Sequence, residues 1–244
     1  ARVEAIFSKE DGGTEFIEET LTDEDGNWRL LFMPMQAGGP YSVSVTCAGE
    51  RKEFSDIYIG DVWLMSGQSN MQLPMHRVRY RFPTEYHEDG DPLIRQFTVP
   101  IKWGFKAPAG ELSGGKWESY SLECASYFSA AGYFFGAKLR ERYPVPIGLI
   151  LTAVGGTPIE AWMSRKALAV FSGKAKAAEE CKSDEYVRNI QKEDEERASS
   201  WYKKIDEADA GISEDWLNAG FRDTWKSVCL SDDFYANEDF EKPG

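Results

Sequence analysis

The order strand, helix, strand is what most constrains this chain. Val62-Trp63-Leu64-Met65 is a short apolar run of the kind found in a parallel strand buried on both faces. Over residues 125–142, Tyr127, Phe128, Ala131, Phe134, Phe135 and Leu139 recur at near-helical spacing, Ser126 is a candidate cap, and Pro144 stops the pattern. Residues 147–154 read as a second buried strand. Parallel strands need a crossover of a dozen or more residues, so this order predicts a βαβ unit and an α/β fold with three layers, α/β/α.

The flanks have a different texture. Before Gly60, Arg2-Val3-Glu4-Ala5-Ile6-Phe7 partly alternates, and Asp25-Gly26-Asn27 reads as a turn followed by Trp28-Arg29-Leu30-Leu31-Phe32. Gly38-Gly39-Pro40 reads as another turn, and Tyr41-Ser42-Val43-Ser44-Val45-Thr46 alternates with period two. Residues 1–60 are expected to form a partial antiparallel β-sandwich. After Lys166 the chain becomes charged helix, because residues 174–196 mix lysine with glutamate and hold few apolar side chains, as a helix in water does. Strand-and-turn text returns at Trp225. The expected division is a partial β-sandwich over 1–60, an α/β domain with a charged helical excursion over 61–224, and the lead-in to another β element over 225–244.

Composition narrows the partners. A net charge of −13, from 41 acidic against 28 basic residues, argues against a nucleic-acid groove or an anionic membrane surface and fits a neutral or weakly charged ligand. No apolar run is long enough to span a membrane. Cys47, Cys124, Cys181 and Cys229 are scattered and form no Cys-x-x-Cys pair, so a zinc ribbon or thioredoxin-type site is excluded.

The chemistry concentrates at two strand ends, where open parallel sheets place their ligands. Ser69 follows the first apolar run within Gly67-Gln68-Ser69-Asn70. That position suits a nucleophile whose hydroxyl projects into a cleft while backbone N–H groups face a developing oxyanion. It also suits a polar turn capping the next helix. The second end is Gly155-Gly156-Thr157-Pro158, where an N–H of Gly155 or Gly156 could be a further oxyanion donor, or where Pro158 simply starts a helix. Gln68, Asn70 and Trp162 are the candidate substrate-contacting residues. His76 and His87 sit among Arg, Tyr, Pro and Glu, as surface histidines of an irregular loop do.

Two blocks carry a family resemblance. Asp61-Val62-Trp63-Leu64-Met65-Ser66-Gly67-Gln68-Ser69-Asn70-Met71, with Pro74 after it, resembles the first conserved block of the sialate O-acetylesterase family within the SGNH hydrolases, and Gly155-Gly156-Thr157-Pro158-Ile159-Glu160-Ala161-Trp162-Met163-Ser164 resembles the second. Phe128-Ser129-Ala130 with Tyr133-Phe134-Phe135 is similar to its connecting helix, and Asp25-Gly26-Asn27-Trp28 with Gly38-Gly39-Pro40-Tyr41 to its N-terminal sandwich. The similarity covers most of residues 1–166.

The resemblance implies an SGNH-type domain with Ser69 as nucleophile and the N–H groups of Ser69 and Gly156 in the oxyanion hole. It implies an acetylated sugar as substrate, an extracytoplasmic setting, and neither metal nor cofactor. The sequence also departs from the family. The Gly-Glu-Ser-Asn loop and the closing Asp-x-x-His pair are absent, and the residues three before His76 and His87 are Leu73 and Thr84. In this family a β domain interrupts the catalytic domain, so the resemblance implies that 61–224 is the first part of the SGNH domain and 225–244 the start of the inserted β domain, and that the chain is an N-terminal piece whose partner is the remainder of the same enzyme. A non-catalytic carbohydrate-binding or scaffold protein with the same fold is the alternative.

Overall fold

The computed structural model describes residues 1–9, 13–87, 89–218 and 220. The chain divides into two compact units, Ala1–Ala177 and Ala178–Gly244.

The first unit opens with an antiparallel sheet of β1 (Arg2–Lys9), β2 (Thr14–Leu21), β3 (Gly38–Cys47) and β4 (Glu50–Ile59), in the order β2-β1-β3-β4. Alternation along β1 buries Val3, Ala5 and Phe7 on one face, and the Phe7 ring lies 5.0 Å from Tyr41 and 5.4 Å from Phe32. Three details differ from the sequence reading. Trp28-Arg29-Leu30-Leu31-Phe32 is not a strand; it belongs to an irregular connection that lays Phe32 against Phe7. Gly38-Gly39-Pro40 opens β3 instead of forming a separate turn, with the register shifting between Gly38 and Tyr41. On the side of β1 away from β3 the partner is β2, an edge strand with no fully buried residue, so its apolar signal is faint. The described residues supply one sheet of the expected sandwich.

Gly60 alone separates this sheet from the next. In chain order follow β5 (Asp61–Met65), α1 (Ser69–Gln72), α2 (Met75–Val78), α3 (Pro83–His87), β6 (Ile94–Thr98), β7 (Trp117–Ser119), α4 (Ala130–Arg142) and β8 (Ile147–Leu151). A 3₁₀ turn (Ile159–Trp162), α5 (Arg165–Leu168) and α6 (Ser172–Glu180) come next. The strands lie in the order β5-β8-β6-β7, with β5, β8 and β6 parallel and β7 antiparallel at the end. The mixed α/β fold of the sequence reading is therefore present.

Burial of β5 is not as its composition suggests. It lies at the edge of the sheet, and only Met65 is buried, while Val62 and Leu64 are 62% and 67% exposed. Its Trp63 ring packs 5.1 Å from Phe135 of α4, so one face of the strand is partly covered and the other is open. The strand with the buried pattern is β8, where Ile147, Leu149 and Leu151 are all at most 3% exposed.

The helix begins later than its apolar spacing implies. Residues 122–127 are turns, and α4 starts at Ala130 with Ser129 as its cap, not Ser126: the Ser129 hydroxyl accepts from the Gly132 N–H at 3.1 Å. The cause lies across the sheet, where buried Gln96 of β6 accepts the Ser129 N–H at 2.9 Å and fixes the chain there. Around this point Met75, Ile94, Tyr120, Phe128 and Leu149 form the centre of the core, each at most 2% exposed. Burial of such side chains stabilises by about 1.5–3 kcal/mol apiece. It also pushes the Tyr120 phenol up to about 12, and that hydroxyl donates to the Tyr86 carbonyl at 2.9 Å.

The second unit contains the 25-residue helix α7 (Asp184–Ala208) and the short α8 (Ala210–Ser213). Ser183 caps α7 by accepting the Tyr186 N–H, and its surface carries ion pairs one turn apart, Lys192 with Glu196 and Lys203 with Glu207. None of its residues is buried, as the mixed charges predict. No helix among the described residues is long and apolar enough to cross a membrane. Residues 225–244, including Cys229, lie outside the described residues.

Candidate active site

The ends of β5 and β8 are brought together because the two strands pair in parallel from Asp61 and Ile147 to Met65 and Leu151. The backbone pairing continues past the strands: Thr152 N–H donates to Met65 O and Val154 N–H to Gly67 O, both at 3.0 Å. Side chains then take over. The Gln68 amide nitrogen donates to Thr157 O at 2.7 Å, and the Gln72 amide oxygen accepts the Gly155 N–H at 2.6 Å. Thr157 in turn donates its hydroxyl to Val154 O at 2.7 Å and accepts the Trp162 indole N–H at 2.9 Å. The two blocks singled out in the sequence are thus one hydrogen-bonded assembly.

Ser69 is the first residue of α1 and is exposed. Among the described residues neither its hydroxyl nor its N–H has a hydrogen-bond partner. Gly155 passes so near that a Cβ on it would lie 3.5 Å from both Ser69 Cα and Cβ. The next residue, Gly156, has φ +79°, a left-handed conformation that favours glycine, and its N–H is also without a partner among the described residues. Two unengaged N–H groups, those of Ser69 and Gly156, therefore belong to facing turns, whereas the Gly155 N–H is occupied by Gln72.

A cleft of about 380 Å³ opens beside Ser69, lined also by Gln72, Arg77, Thr98, Tyr127 and Leu151. Arg77 is the one fully charged residue among the described residues that line it. Partial burial, then the hydrogen bond it donates to Glu118, hold the Tyr127 phenol above its ordinary value, so it stays neutral near pH 7. The floor is anchored by Gln96, whose amide nitrogen donates to Thr98 Oγ1 at 2.8 Å and to Tyr127 O at 3.1 Å. Ser129 completes the support by donating to Met71 O at 2.7 Å, tying α1 to the start of α4.

Of the candidate site residues named from sequence, Ser69 alone lines this cleft; Gln68, Asn70, Gly156 and Trp162 lie outside its lining. Gln68 faces Thr157, and Asn70 is exposed with no side-chain hydrogen bond among the described residues. Trp162 is 40% exposed above Thr157. Glu160 pairs with Lys174 at 2.8 Å, and the hydrogen bond from that lysine lowers the carboxyl below its usual value. His76 and His87 also stay out of the cleft lining: the backbone N–H of His76 donates to Ala125 O while its Nδ1 is buried with no hydrogen-bond partner among the described residues, and the His87 ring stands 4.9 Å from Tyr86. Among the described residues no group of three or more His, Cys, Asp or Glu side chains could hold a metal ion. Sequence reasoning missed Gln72, Arg77 and Gln96; for Gln72 a signal existed, since it stands three residues after Ser69 on the same short helix.

Residues 59–205 match the family described as carbohydrate esterase, sialic acid-specific acetylesterase. Sialate O-acetylesterase of Rattus norvegicus is 32% identical over 178 residues, covering 64% of this chain and 31% of the relative. That of Homo sapiens is 30% identical over 181 residues, with 64% and 32% covered. A crystal structure of a carbohydrate acetylesterase from Xanthomonas citri superposes with a TM-score of 0.61 at 35% identity, covering 69% of this chain and 37% of the other. The chain spans about a third of the length of the curated relatives it matches.

Proposed function

The chain belongs to the sialic acid-specific acetylesterase family of carbohydrate esterases, and from that premise we propose that it carries the nucleophile side of a serine carbohydrate O-acetylesterase acting on acetyl esters of sialic acid or related sugars. The observation that carries this reading is the joined pair of turns, which sets an exposed Ser69 with an unengaged hydroxyl against Gly155-Gly156 at a cleft. In this reading Ser69 Oγ attacks the acetyl carbonyl carbon, and the N–H groups of Ser69 and Gly156 receive the oxyanion. The sugar oxygen leaves with a proton, and water then attacks the acetyl-serine to release acetate. The reading needs neither metal nor cofactor.

A serine hydroxyl keeps its proton near neutral pH unless a base takes it. Nothing among the described residues bonds Ser69 Oγ, so we assign the base and its orienting acid to the further length of enzyme seen in the relatives. That remainder is also the proposed partner for the open edge of β5 and for Val62 and Leu64. Arg77, Asn70 and Trp162 are the proposed sugar contacts, and the setting is extracytoplasmic.

The unengaged hydroxyl also favours a second reading, a sugar-binding protein of the same fold without catalysis. Replacing Ser69 in the full-length enzyme decides between them. Ser69→Ala is expected to lower acetate release from a chromogenic acetyl ester by roughly 10⁴–10⁶-fold while the protein stays folded, because members of a catalytic unit act together. Near-normal turnover by a folded Ser69→Ala protein overturns the assignment.

A further inference from the structure

We infer that Gln68 and Gln72 form a two-ended clamp that positions Ser69 against the Gly155-Gly156 turn and leaves Gly156, not Gly155, as the oxyanion donor of that turn. The inference rests on the reading of Ser69 as nucleophile. Helix α1 is four residues long, too short to hold its own geometry, since a single turn fixes many dihedral angles for few hydrogen bonds. Gln68, at its N-cap position, makes no capping bond with its side chain. Instead it crosses to Thr157, 89 residues away, and Gln72 crosses to Gly155, 83 residues away. Ser69 sits between the two anchors.

The partners dictate opposite chemistry at the two positions. Thr157 O is a carbonyl and only accepts, so Gln68 must donate; the Gly155 N–H only donates, so Gln72 must accept. Glutamine satisfies both demands, but glutamate satisfies only the second. The pair therefore predicts an asymmetry that general packing around α1 would not produce. A carboxylate at position 68 would face a carbonyl oxygen with no proton to share, whereas at position 72 it would still accept from Gly155.

The test uses full-length enzyme and four variants, Gln68→Glu, Gln68→Asn, Gln72→Glu and Gln72→Met, with rates expressed per molecule labelled at Ser69 by a fluorophosphonate. Gln68→Asn is too short to reach Thr157, and Gln72→Met keeps the volume without the acceptor. Gln68→Glu, Gln68→Asn and Gln72→Met are expected to lower kcat about 10²-fold, the scale of a misplacement of about 1 Å, with KM changed by less than about threefold. Gln72→Glu is expected to keep at least tenfold more activity than Gln72→Met. Equal tolerance of glutamate at both positions, or losses confined to KM, overturns the clamp. Should Gln68→Glu fail to fold, Gln68→Asn and the two Gln72 variants still decide whether the clamp exists. A wild-type enzyme that is not labelled at Ser69 removes the nucleophile reading itself, while labelling with no difference among the variants removes only the clamp.

Discussion

β5 and β8 run side by side, parallel and in register over five residue pairs, yet their surroundings are opposite. Four of the five β5 residues are exposed, whereas three of the five β8 residues are buried. The difference is position in the sheet: β8 lies between β5 and β6, while β5 pairs on one side only among the described residues. What each contributes to the joined pair of turns differs in the same way. The β5 end delivers side chains, Ser69 and the two glutamines beside it. The β8 end delivers backbone, the Gly155 and Gly156 N–H groups. An open edge can carry an adaptable reactive side chain; a central strand gives a rigid backbone platform.

That division orders the expected effects. The largest belongs to the β5 end, where Ser69→Ala removes the proposed nucleophile and the acetate assay reads the loss. At the β8 end, Gly156→Val tests the proposed oxyanion donor and is expected to reduce kcat by about 10²–10³-fold with little change in KM, because such a donor acts mainly in the transition state. The left-handed φ of Gly156 makes valine strained there as well, so thermal stability should be measured beside the rate. An effect on KM alone would make the β8 end a binding wall and break the contrast between side chain and backbone.

Stability tests the structural half of the comparison. In the 244-residue chain, Leu149→Ala on β8 is expected to cost about 2–5 kcal/mol by urea unfolding, the range for emptying a packed core site. Leu64→Ala on β5 is expected to change stability by less than about 0.5 kcal/mol, as exposed substitutions do. In full-length enzyme the Leu64→Ala cost should rise to about 2 kcal/mol if further chain covers that face. An unchanged small value there removes the proposed covering of β5.

The same contrast explains how far the sequence could be read. The strand, helix, strand order was legible because each element carries a local apolar pattern, and the place of Ser69 just past the end of β5 was legible because it follows one. Burial of β5 was not, since an apolar run says that a face can be covered, not whether anything covers it. The start of α4 depended on a choice between Ser126 and Ser129, three residues apart and equally good caps in isolation. Gln96, some thirty residues upstream and across the sheet, decides it by holding the Ser129 N–H. The roles of Gln68 and Gln72 were hidden for the same reason: each bond spans more than eighty residues, and no local pattern encodes it.

The smallest expected effect asks whether the β5 side also selects the substrate. Arg77 lies in α2, shortly after the Ser69 turn, and brings positive charge to the cleft in a chain of net charge −13. It is exposed, so its attraction for a carboxylate is screened and worth only about 0.2–1 kcal/mol. Arg77→Gln in full-length enzyme is therefore expected to lower kcat/KM about two- to fivefold for an O-acetylated sialic acid, which is anionic. For a neutral acetylated xylose the value should not change. Added salt should shrink the difference in the wild type, because exposed charges are screened over about 8–10 Å at physiological ionic strength. Equal losses on both substrates would mean that Arg77 shapes the cleft without reading charge. In that case the β5 side supplies the nucleophile alone, and substrate choice must come from elsewhere in the enzyme.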